Sequence, residues 1–260
     1  MAAATTKLLL SDLASTVKSV PSNYIRPISD RPNLTEVQIS DGSIPLVDLQ
    51  VLNGPSRLDI IKQIGQACQH DGFFQDYMHE WPSNPPSFRY NYVRGLVLRL
   101  PEAISESKHG QHMALNYCPP CPQPDLTYGL PGHTDPNLIT VLLQDDVPGL
   151  QVLRNGKWLP VSPIPNTFIV NIGDQMQVLS NDLYKSVLHR ALVNCDKERI
   201  SIPRFYCPSP DAVIAPAKDL IDERHLAFYK NFTYAEYYQK FWNRGLAAEG
   251  CLDLFEVSTA

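Results

Sequence analysis

The sequence predicts an α+β chain with a mainly β core, folded as a barrel or jelly roll and flanked by helices. From residue 112 to residue 207 it consists of short apolar runs separated by turn signals. Asn155-Gly156 is a hairpin signal between two of these runs. Helical spacing of apolar residues is found before this stretch and after it. Many short strands at such intervals are typical of a barrel or jelly roll.

The N-terminal region, residues 1–107, is predicted to be mainly helical with one short strand. Ser56 is a plausible N-cap for a helix that continues to about His70. Phe73-Phe74-Gln75 then starts like a strand and stops. Pro101 falls inside the last helical pattern, where its missing N–H should cause a kink at a cost of about 3 kcal/mol. The other predicted elements are a helix over Lys7–Ser19, a strand over Ile44–Leu49 and a helix over Phe88–Ser107.

Residues 108–210 are predicted to form the β core, and residues 211–260 a C-terminal helical extension. In that extension Thr233 is expected to cap a helix that ends near Arg244, with an aromatic stripe packed on the core. The predicted strands of the core are Met113–Tyr117, Leu138–Gln144, Leu150–Leu153, Trp158–Val161, Thr167–Ile172, Leu188–Val193 and Ile200–Tyr206.

Composition limits the classes of function. The chain has 260 residues, 43% hydrophobic and 19% charged, which suffices for a sizeable core in one embellished domain. The net charge of −5 argues against binding to nucleic acid or to an anionic membrane surface. The apolar run Leu8-Leu9-Leu10 is too short for a signal peptide or a membrane span. We therefore expect a cytoplasmic monomer whose six cysteines are reduced.

The stretch Gly132-His133-Thr134-Asp135 offers an imidazole and a carboxylate two residues apart. In an extended segment these two side chains point to the same side and can bind one metal ion. Such a pair also arises easily by chance, and a polar pair on the surface is the commoner explanation. A third group is therefore needed before the pair predicts a metal site.

His189, in a strand-like run 54 positions after Asp135, is such a group. Two histidines and one carboxylate on one face of a metal are the ligand set of non-haem Fe(II) oxygenases, with the other positions open. Ten residues further, Arg199 and Ser201 face the same way in a predicted strand. A guanidinium fork beside a hydroxyl suits a carboxylate ligand.

Together these motifs resemble the plant soluble family of 2-oxoglutarate-dependent Fe(II) dioxygenases. The resemblance covers nearly the whole chain and is closest to the branch of salicylate hydroxylases, the downy-mildew-resistance-like oxygenases, with flavone synthases nearby. Further matching stretches are residues 44–49, 68–74, 131–136, 149–152, 171–174 and 186–190. The family implies a cupin-like double-stranded β-helix, here incomplete on its N-terminal side.

The resemblance also implies roles for individual residues. His133, Asp135 and His189 would bind Fe(II), while Arg199 and Ser201 would hold the distal carboxylate of 2-oxoglutarate. Asn116 matches a family position that lines the cosubstrate. Phe205 matches a position that stacks against an aromatic substrate, and an ordinary core aromatic is an equal alternative for it. The implied reaction uses O₂ to convert 2-oxoglutarate to succinate and CO₂. At the same time a small aromatic metabolite, such as salicylate or a flavonoid, is hydroxylated or desaturated. Ascorbate would support the activity.

Cys118 departs from the family pattern N-Y-Y-P-P-C, in which the second tyrosine donates its hydroxyl to 2-oxoglutarate. A thiol is a weak donor, so we expect weaker cosubstrate binding, by roughly 1.5–3 kcal/mol. The change creates the pair Cys118-x-x-Cys121, but the prolines around it forbid the helix that a thioredoxin-type motif needs. A zinc site would need a second such pair.

A block of sequence is also missing relative to the family. After Gln75 the family continues its strand into a turn, several helices and another strand, whereas this chain runs directly into residues 76–86. A second, smaller gap follows Ser107. Two other functions therefore stay open at this point: a catalytically impaired remnant that binds metal without turnover, and a metal-independent cupin-like binding protein, which fits the motifs poorly.

Overall fold

The computed structural model describes residues 17–32, 44–77, 109–244 and 250–257. Most of the predicted helix at Lys7–Ser19 and all of the predicted helix at Phe88–Ser107, with Pro101, lie outside these ranges. Among the described helices, none combines the length and apolarity that crossing a membrane requires.

Two facing sheets form the β core, so the predicted jelly roll is confirmed. The major sheet has the strand order β1-β2-β9-β6-β11-β3, with β4 also paired to β11, and the minor sheet has the order β5-β10-β7-β8. A separate pair is formed by β12 and β13. The strands are β1 (Leu46–Val47), β2 (Phe73–Tyr77), β3 (His109–Met113), β4 (Asn116–Cys118), β5 (Leu130–His133), β6 (Ile139–Gln144), β7 (Leu150–Arg154), β8 (Lys157–Pro160), β9 (Thr167–Ile172), β10 (His189–Ala191), β11 (Arg199–Pro208), β12 (Val213–Ile214) and β13 (Phe232–Thr233).

The major sheet is covered on both faces. Phe73 and Phe74 are neighbours in β2, and since successive strand residues point to opposite faces, they enter different clusters. Phe73 packs between the two sheets, whereas Phe74 packs on the outer face against helices. This explains why β2 begins with two consecutive apolar residues and does not alternate.

Three α-helices lie among the described residues: α1 (Arg57–His70), α2 (Asp174–Leu179) and α3 (Tyr234–Asn243). The predicted cap of α3 is confirmed, because Thr233 and Glu236 form a reciprocal capping box. Ser56 precedes α1 as predicted, but its side chain makes no capping hydrogen bond. Buried residues of α1 and α3 complete the outer cluster of the major sheet.

The strand predicted over Thr167–Ile172 occurs with the same ends as β9, and the other predicted strands occur with different ends. The single strand predicted over Met113–Tyr117 is two strands, β3 and β4, which pair with different stretches of β11. The strand predicted over Ile44–Leu49 is only two residues long, because the Asp48 side chain accepts a hydrogen bond from the Gln50 N–H and starts a 3-10 turn. No prediction was made for α2 or for the β12–β13 pair, which are too short for a periodic pattern.

Candidate metal centre

The three predicted ligands meet at one point inside the jelly roll. His133 ends β5, Asp135 follows two residues later, and His189 starts β10, which pairs with β5 so that His133 and His189 stand opposite each other. Their nitrogen and oxygen ligand atoms all lie within 4.8 Å of one another. The distance of 54 residues between Asp135 and His189 is thus closed by one antiparallel strand pair.

Both imidazoles are oriented by backbone carbonyls. His133 Nδ1 lies 2.8 Å from the Pro131 carbonyl oxygen, and His189 Nδ1 lies 3.1 Å from that of Val187. A carbonyl oxygen can only accept, so Nδ1 carries the hydrogen in each ring, and the neutral tautomer of this kind has its lone pair on Nε2. Both Nε2 atoms lie 3.7 Å from Asp135 Oδ1, which is the geometry expected of three groups facing one ion.

The Asp135 carboxylate is 3% exposed and accepts two hydrogen bonds on one of its oxygens. Its Oδ2 accepts hydrogen bonds from the Thr140 hydroxyl and, at 2.8 Å, from Asn171 Nδ2. These bonds come from β6 and β9 of the major sheet, so they tie a ligand of the loop to the sheet. Oδ1 is left to face the two histidines.

The protonation of these groups suits a metal. Burial opposes ionisation of Asp135, but His189, His133 and the two hydrogen bonds outweigh it and lower the pKa of the carboxyl. Burial, together with His189, lowers the pKa of His133 to about 4. At neutral pH the centre therefore presents the neutral imidazole of His133 and the carboxylate of Asp135, which are the forms that coordinate metal ions.

A second cluster surrounds Arg199 at the start of β11. Arg199 is 3% exposed, and burial lowers the pKa of its guanidinium. Nη2 donates to Gln144 Oε1 at 2.9 Å, and Nη1 lies 3.4 Å from the Ser201 hydroxyl, which is also 3.4 Å from Asn116 Nδ2. The buried Nε has no hydrogen-bond partner. A buried guanidinium whose donors are partly unused is a site for a carboxylate.

Two small residues shape the space around Arg199. Cys118 of β4 stands directly opposite Arg199 of β11, is buried, and places its Sγ against Gly129. Gly149 lies on another side, where an added Cβ would be 2.8 Å from Arg199 Cδ. Cys118 thus lies beside the predicted cosubstrate residue Arg199. Within residues 109–132, β4 is followed only by the short 3-10 helix Pro124–Leu126 and by no α-helix of the kind that a thioredoxin-type pair needs.

Strand β6 connects the two clusters. Thr140, Leu142 and Gln144 alternate along it and face the same side, because successive strand residues point in opposite directions. Thr140 contacts the metal ligand and Gln144 contacts Arg199. Phe205 of β11 is paired with Thr140 and is partly buried, with contacts to the outer cluster. The inner face of the major sheet therefore carries the ligand cluster at one end of β6 and Arg199 at the other.

Comparison with known proteins now identifies the family. Residues 109–208 match the family described as the 2OG-Fe(II) oxygenase superfamily. The chain is 50% identical to Protein DMR6-LIKE OXYGENASE 2 of Arabidopsis thaliana over 347 residues, which covers 99% of this chain and 100% of that protein. The chain belongs to the 2OG-Fe(II) oxygenase superfamily. It is therefore a dioxygenase of the class that uses Fe(II) and 2-oxoglutarate, as the sequence predicted.

Two further matches support the assignment of the chain to this superfamily. Flavanone 3-dioxygenase 2 of Oryza sativa subsp. japonica is 40% identical, with 92% of this chain and 95% of that protein covered. The crystal structure of JOX2 in complex with 2OG, Fe and JA superposes with a TM-score of 0.78 at 29% identity. That superposition covers 97% of this chain and 98% of the other. Fold and sequence thus point to the same family.

The alignment also confirms that an internal block is missing. It runs over 347 positions, which is 87 more than the 260 residues of the oxygenase. Since it covers 99% of this chain and the whole of the Arabidopsis protein, the additional positions fall opposite gaps inside the chain. The places predicted for these gaps, after Gln75 and after Ser107, stay predictions.

Sequence reasoning missed the residues that support the ligands and the anchor. Thr140 and Asn171 hold Asp135, and Gln144 holds Arg199. Asn171 lies in one of the family-like stretches, and Thr140 and Gln144 are the polar positions of an otherwise apolar strand, which is the signal that could have found them. Of the other histidines, His70, His112 and His225 are exposed, while His79 is outside the described residues.

Proposed function

We propose that this oxygenase hydroxylates or desaturates a small aromatic metabolite, such as salicylate or a flavonoid. The reaction would be coupled to oxidative decarboxylation of 2-oxoglutarate to succinate and CO₂. His133, Asp135 and His189 are the proposed Fe(II) ligands, Arg199, Ser201 and Asn116 the proposed cosubstrate residues, and Phe205 the proposed substrate contact.

The ligand set fits the ion. Two imidazoles and one carboxylate on one side leave the opposite side free, which is the arrangement of this class of iron site. When bound, Fe(II) supplies coordination positions for 2-oxoglutarate and O₂ and the redox chemistry of the reaction. The protein residues fix its place: the Pro131 and Val187 carbonyls orient the imidazoles, and Thr140 with Asn171 orients the carboxylate.

The single observation that carries the cosubstrate assignment is the state of Arg199. Its guanidinium is buried on the inner face of the jelly roll, its Nε is unpartnered, and within the described ranges no carboxylate forms an ion pair with it. A buried cation of this kind is costly unless a negative group joins it. The distal carboxylate of 2-oxoglutarate is the group of matching charge and shape, with Ser201 and Asn116 beside it to donate further hydrogen bonds.

The proposed substrate class rests on Phe205 and on the relatives. By strand alternation Phe205 falls on the same face of β11 as Ser201, and its strand partner Thr140 contacts Asp135, although Phe205 also packs against residues of the outer cluster. An aromatic ring at this place can stack on a flat substrate. The rice relative is a flavanone 3-dioxygenase by name, and the relatives named DMR6-LIKE OXYGENASE and DOWNY MILDEW RESISTANCE 6 belong to the branch that the sequence resembles.

A second function is favoured by two specific observations. Cys118 stands beside Arg199 in place of the family tyrosine, and the alignment leaves 87 or more positions without a counterpart. Such a chain could bind Fe(II) through an intact ligand cluster and yet release little succinate. If the protein is such an impaired remnant, it should bind Fe(II) without supporting turnover.

Turnover of a substrate panel distinguishes the two. Purified protein is supplied with Fe(II), 2-oxoglutarate, ascorbate and O₂, and succinate is measured with and without salicylate or a flavanone. The proposed function predicts more succinate in the presence of one of these phenolics, together with a hydroxylated or desaturated product. Fe(II) binding without any such stimulation, across the panel, would support the remnant instead.

A further inference from the structure

A buried carboxylate beside the metal ligands has no part in the mechanism above. Asp174, the first residue of α2, is 1% exposed. Its Oδ2 accepts hydrogen bonds from the Thr134 hydroxyl, at 3.1 Å, and from the Tyr237 hydroxyl. Its backbone N–H donates to the carbonyl oxygen of Asp135 at 2.8 Å. Asp174 thus contacts the segment His133–Asp135, here called the metal turn, at two separate points.

The residues around Asp174 hold the segment that follows the metal turn. The Gly173 N–H donates to the Leu138 carbonyl oxygen at 2.9 Å, and the Gln175 N–H donates to the Asn137 carbonyl oxygen at 3.1 Å. The approach at Gly173 is so close that an added Cβ would lie 2.2 Å from the Asn137 carbonyl oxygen. Backbone hydrogen bonds therefore join residues 173–175, at the start of α2, to residues 135–138, so the position of each segment depends on the other.

Tyr237 brings the C-terminal helix α3 into this contact. Its ring is fully buried and packs against Phe232, Phe241 and Phe255, with ring centroids 5.7, 6.1 and 5.7 Å away. These contacts hold the ring whether or not it carries a hydroxyl. The hydroxyl, which also lies beside the Cys251 thiol, is the group that reaches Asp174.

We propose that Asp174 is a positioning residue for the metal turn and that Tyr237 connects it to helix α3. The C-terminal region would then set the geometry of the iron site, which no ligand motif in the sequence indicates. The physical reason is that partners outside the ligand shell orient the ligands and tune metal affinity. The inference rests on the proposed function in one respect, that His133, Asp135 and His189 are the ligands.

Two substitutions on the same helix test the connection. Tyr237→Phe removes only the hydroxyl that bonds to Asp174, and Tyr234→Phe removes a buried hydroxyl that faces the Cys207 thiol. For each full-length protein we would measure Fe(II) affinity without oxygen, the visible spectrum of the Co(II)-substituted protein, and the Tm of the metal-free protein. We expect Tyr237→Phe to bind Fe(II) about tenfold more weakly, the low end of what outer partners cost, and to shift the Co(II) bands. Tyr234→Phe should match the wild type in both.

The proposal is overturned if Tyr237→Phe lowers the Tm but keeps the Fe(II) affinity and Co(II) spectrum of the wild type, since that is a purely structural role. Should Tyr237→Phe fail to fold, Thr134→Val cuts the other side of Asp174 and Thr134→Ser keeps the hydroxyl. Weaker binding by the valine variant with recovery by serine supports the proposal, and equal affinities overturn it. If the wild-type protein itself bound no Fe(II), the proposed function would be overturned as well. A failure of the positioning role alone would leave Fe(II) binding by the wild type intact.

Discussion

The ligand cluster and the Arg199 cluster share one inner face but differ in how completely the protein satisfies them. Asp135 receives two hydrogen bonds on Oδ2 and turns Oδ1 to both histidines. Arg199 is equally buried, yet its Nε has no partner and its contact with Ser201 is long, at 3.4 Å. The first cluster is organised by the protein alone. The second lacks an opposite charge, which a buried cation needs, and this fits the proposal that the cosubstrate supplies it.

Removal of the central carboxylate should have the largest effect. Asp135→Ala deletes a ligand and leaves the Thr140 and Asn171 donors unpaired, so we expect Fe(II) affinity to fall by more than about 100-fold, beyond the range for outer partners. Competition with a chromogenic chelator in the absence of oxygen measures this. Asp146→Ala, at an exposed position, serves as the control. Retention of Fe(II) affinity within tenfold of the wild type would show that Asp135 is not a ligand.

Replacement of the anchor should spare iron and weaken the cosubstrate. Arg199→Leu removes the buried charge, and we expect 2-oxoglutarate binding to lose about 2–5 kcal/mol, as for a desolvated charge pair. Arg199→Lys keeps the charge but loses the fork, so it should recover only part of this. Calorimetric titration of the Fe(II)-loaded protein measures both. Arg204→Leu is the control, since Arg204 lies on the same strand and bonds to Gln111 outside the site. An unchanged affinity in Arg199→Leu would contradict the assignment.

A conservative change beside the ligands sharpens the contrast. Thr140→Val keeps the shape of the side chain and removes the donor to Asp135. We expect Fe(II) affinity to fall by about 10- to 100-fold, with a smaller change in 2-oxoglutarate affinity of the loaded protein. Thr167→Val, on β9, is a matched control because its hydroxyl bonds to Gln75 and to the Ile164 carbonyl oxygen instead. If both valine variants bind Fe(II) alike, the protein does not orient Asp135 in the way described.

The last predicted effect is a gain. Cys118→Tyr supplies a hydroxyl beside Arg199, and we expect 2-oxoglutarate binding to strengthen by roughly 1.5–3 kcal/mol. Cys118→Ala should change the affinity little, because a thiol is a weak donor. Titration of both variants with 2-oxoglutarate gives the comparison. No gain from tyrosine would mean that Cys118 does not limit cosubstrate binding.

The sequence predicted the parts of the site that depend on residue type and spacing. His133, Asp135 and His189 stand at intervals that one strand pair closes, and Arg199 and Ser201 alternate along one strand. The helix at Ser56–His70 and most strands were predicted for the same reason, since amphipathic period and turn residues are local properties.

The supporting residues could not be predicted, because they act across the sheet. Thr140 and Asn171 reach Asp135 through the register of β6 and β9, which no local pattern contains. Asp174 and Tyr237 are 63 residues apart, and only the packing of α3 brings them together. Strand ends were missed where a side chain replaced a ladder bond, as at Asp48.

We infer that the protein alone completes the ligand cluster and that 2-oxoglutarate supplies the counter-charge of Arg199. Addition of 2-oxoglutarate to the Fe(II)-loaded wild-type protein without oxygen tests this most directly, through the visible metal-to-ligand charge-transfer band. We predict a band that rises to saturation in the wild type, is absent in Asp135→Ala, and needs far more 2-oxoglutarate in Arg199→Leu. Fe(II) binding with no band at saturating 2-oxoglutarate would contradict the account.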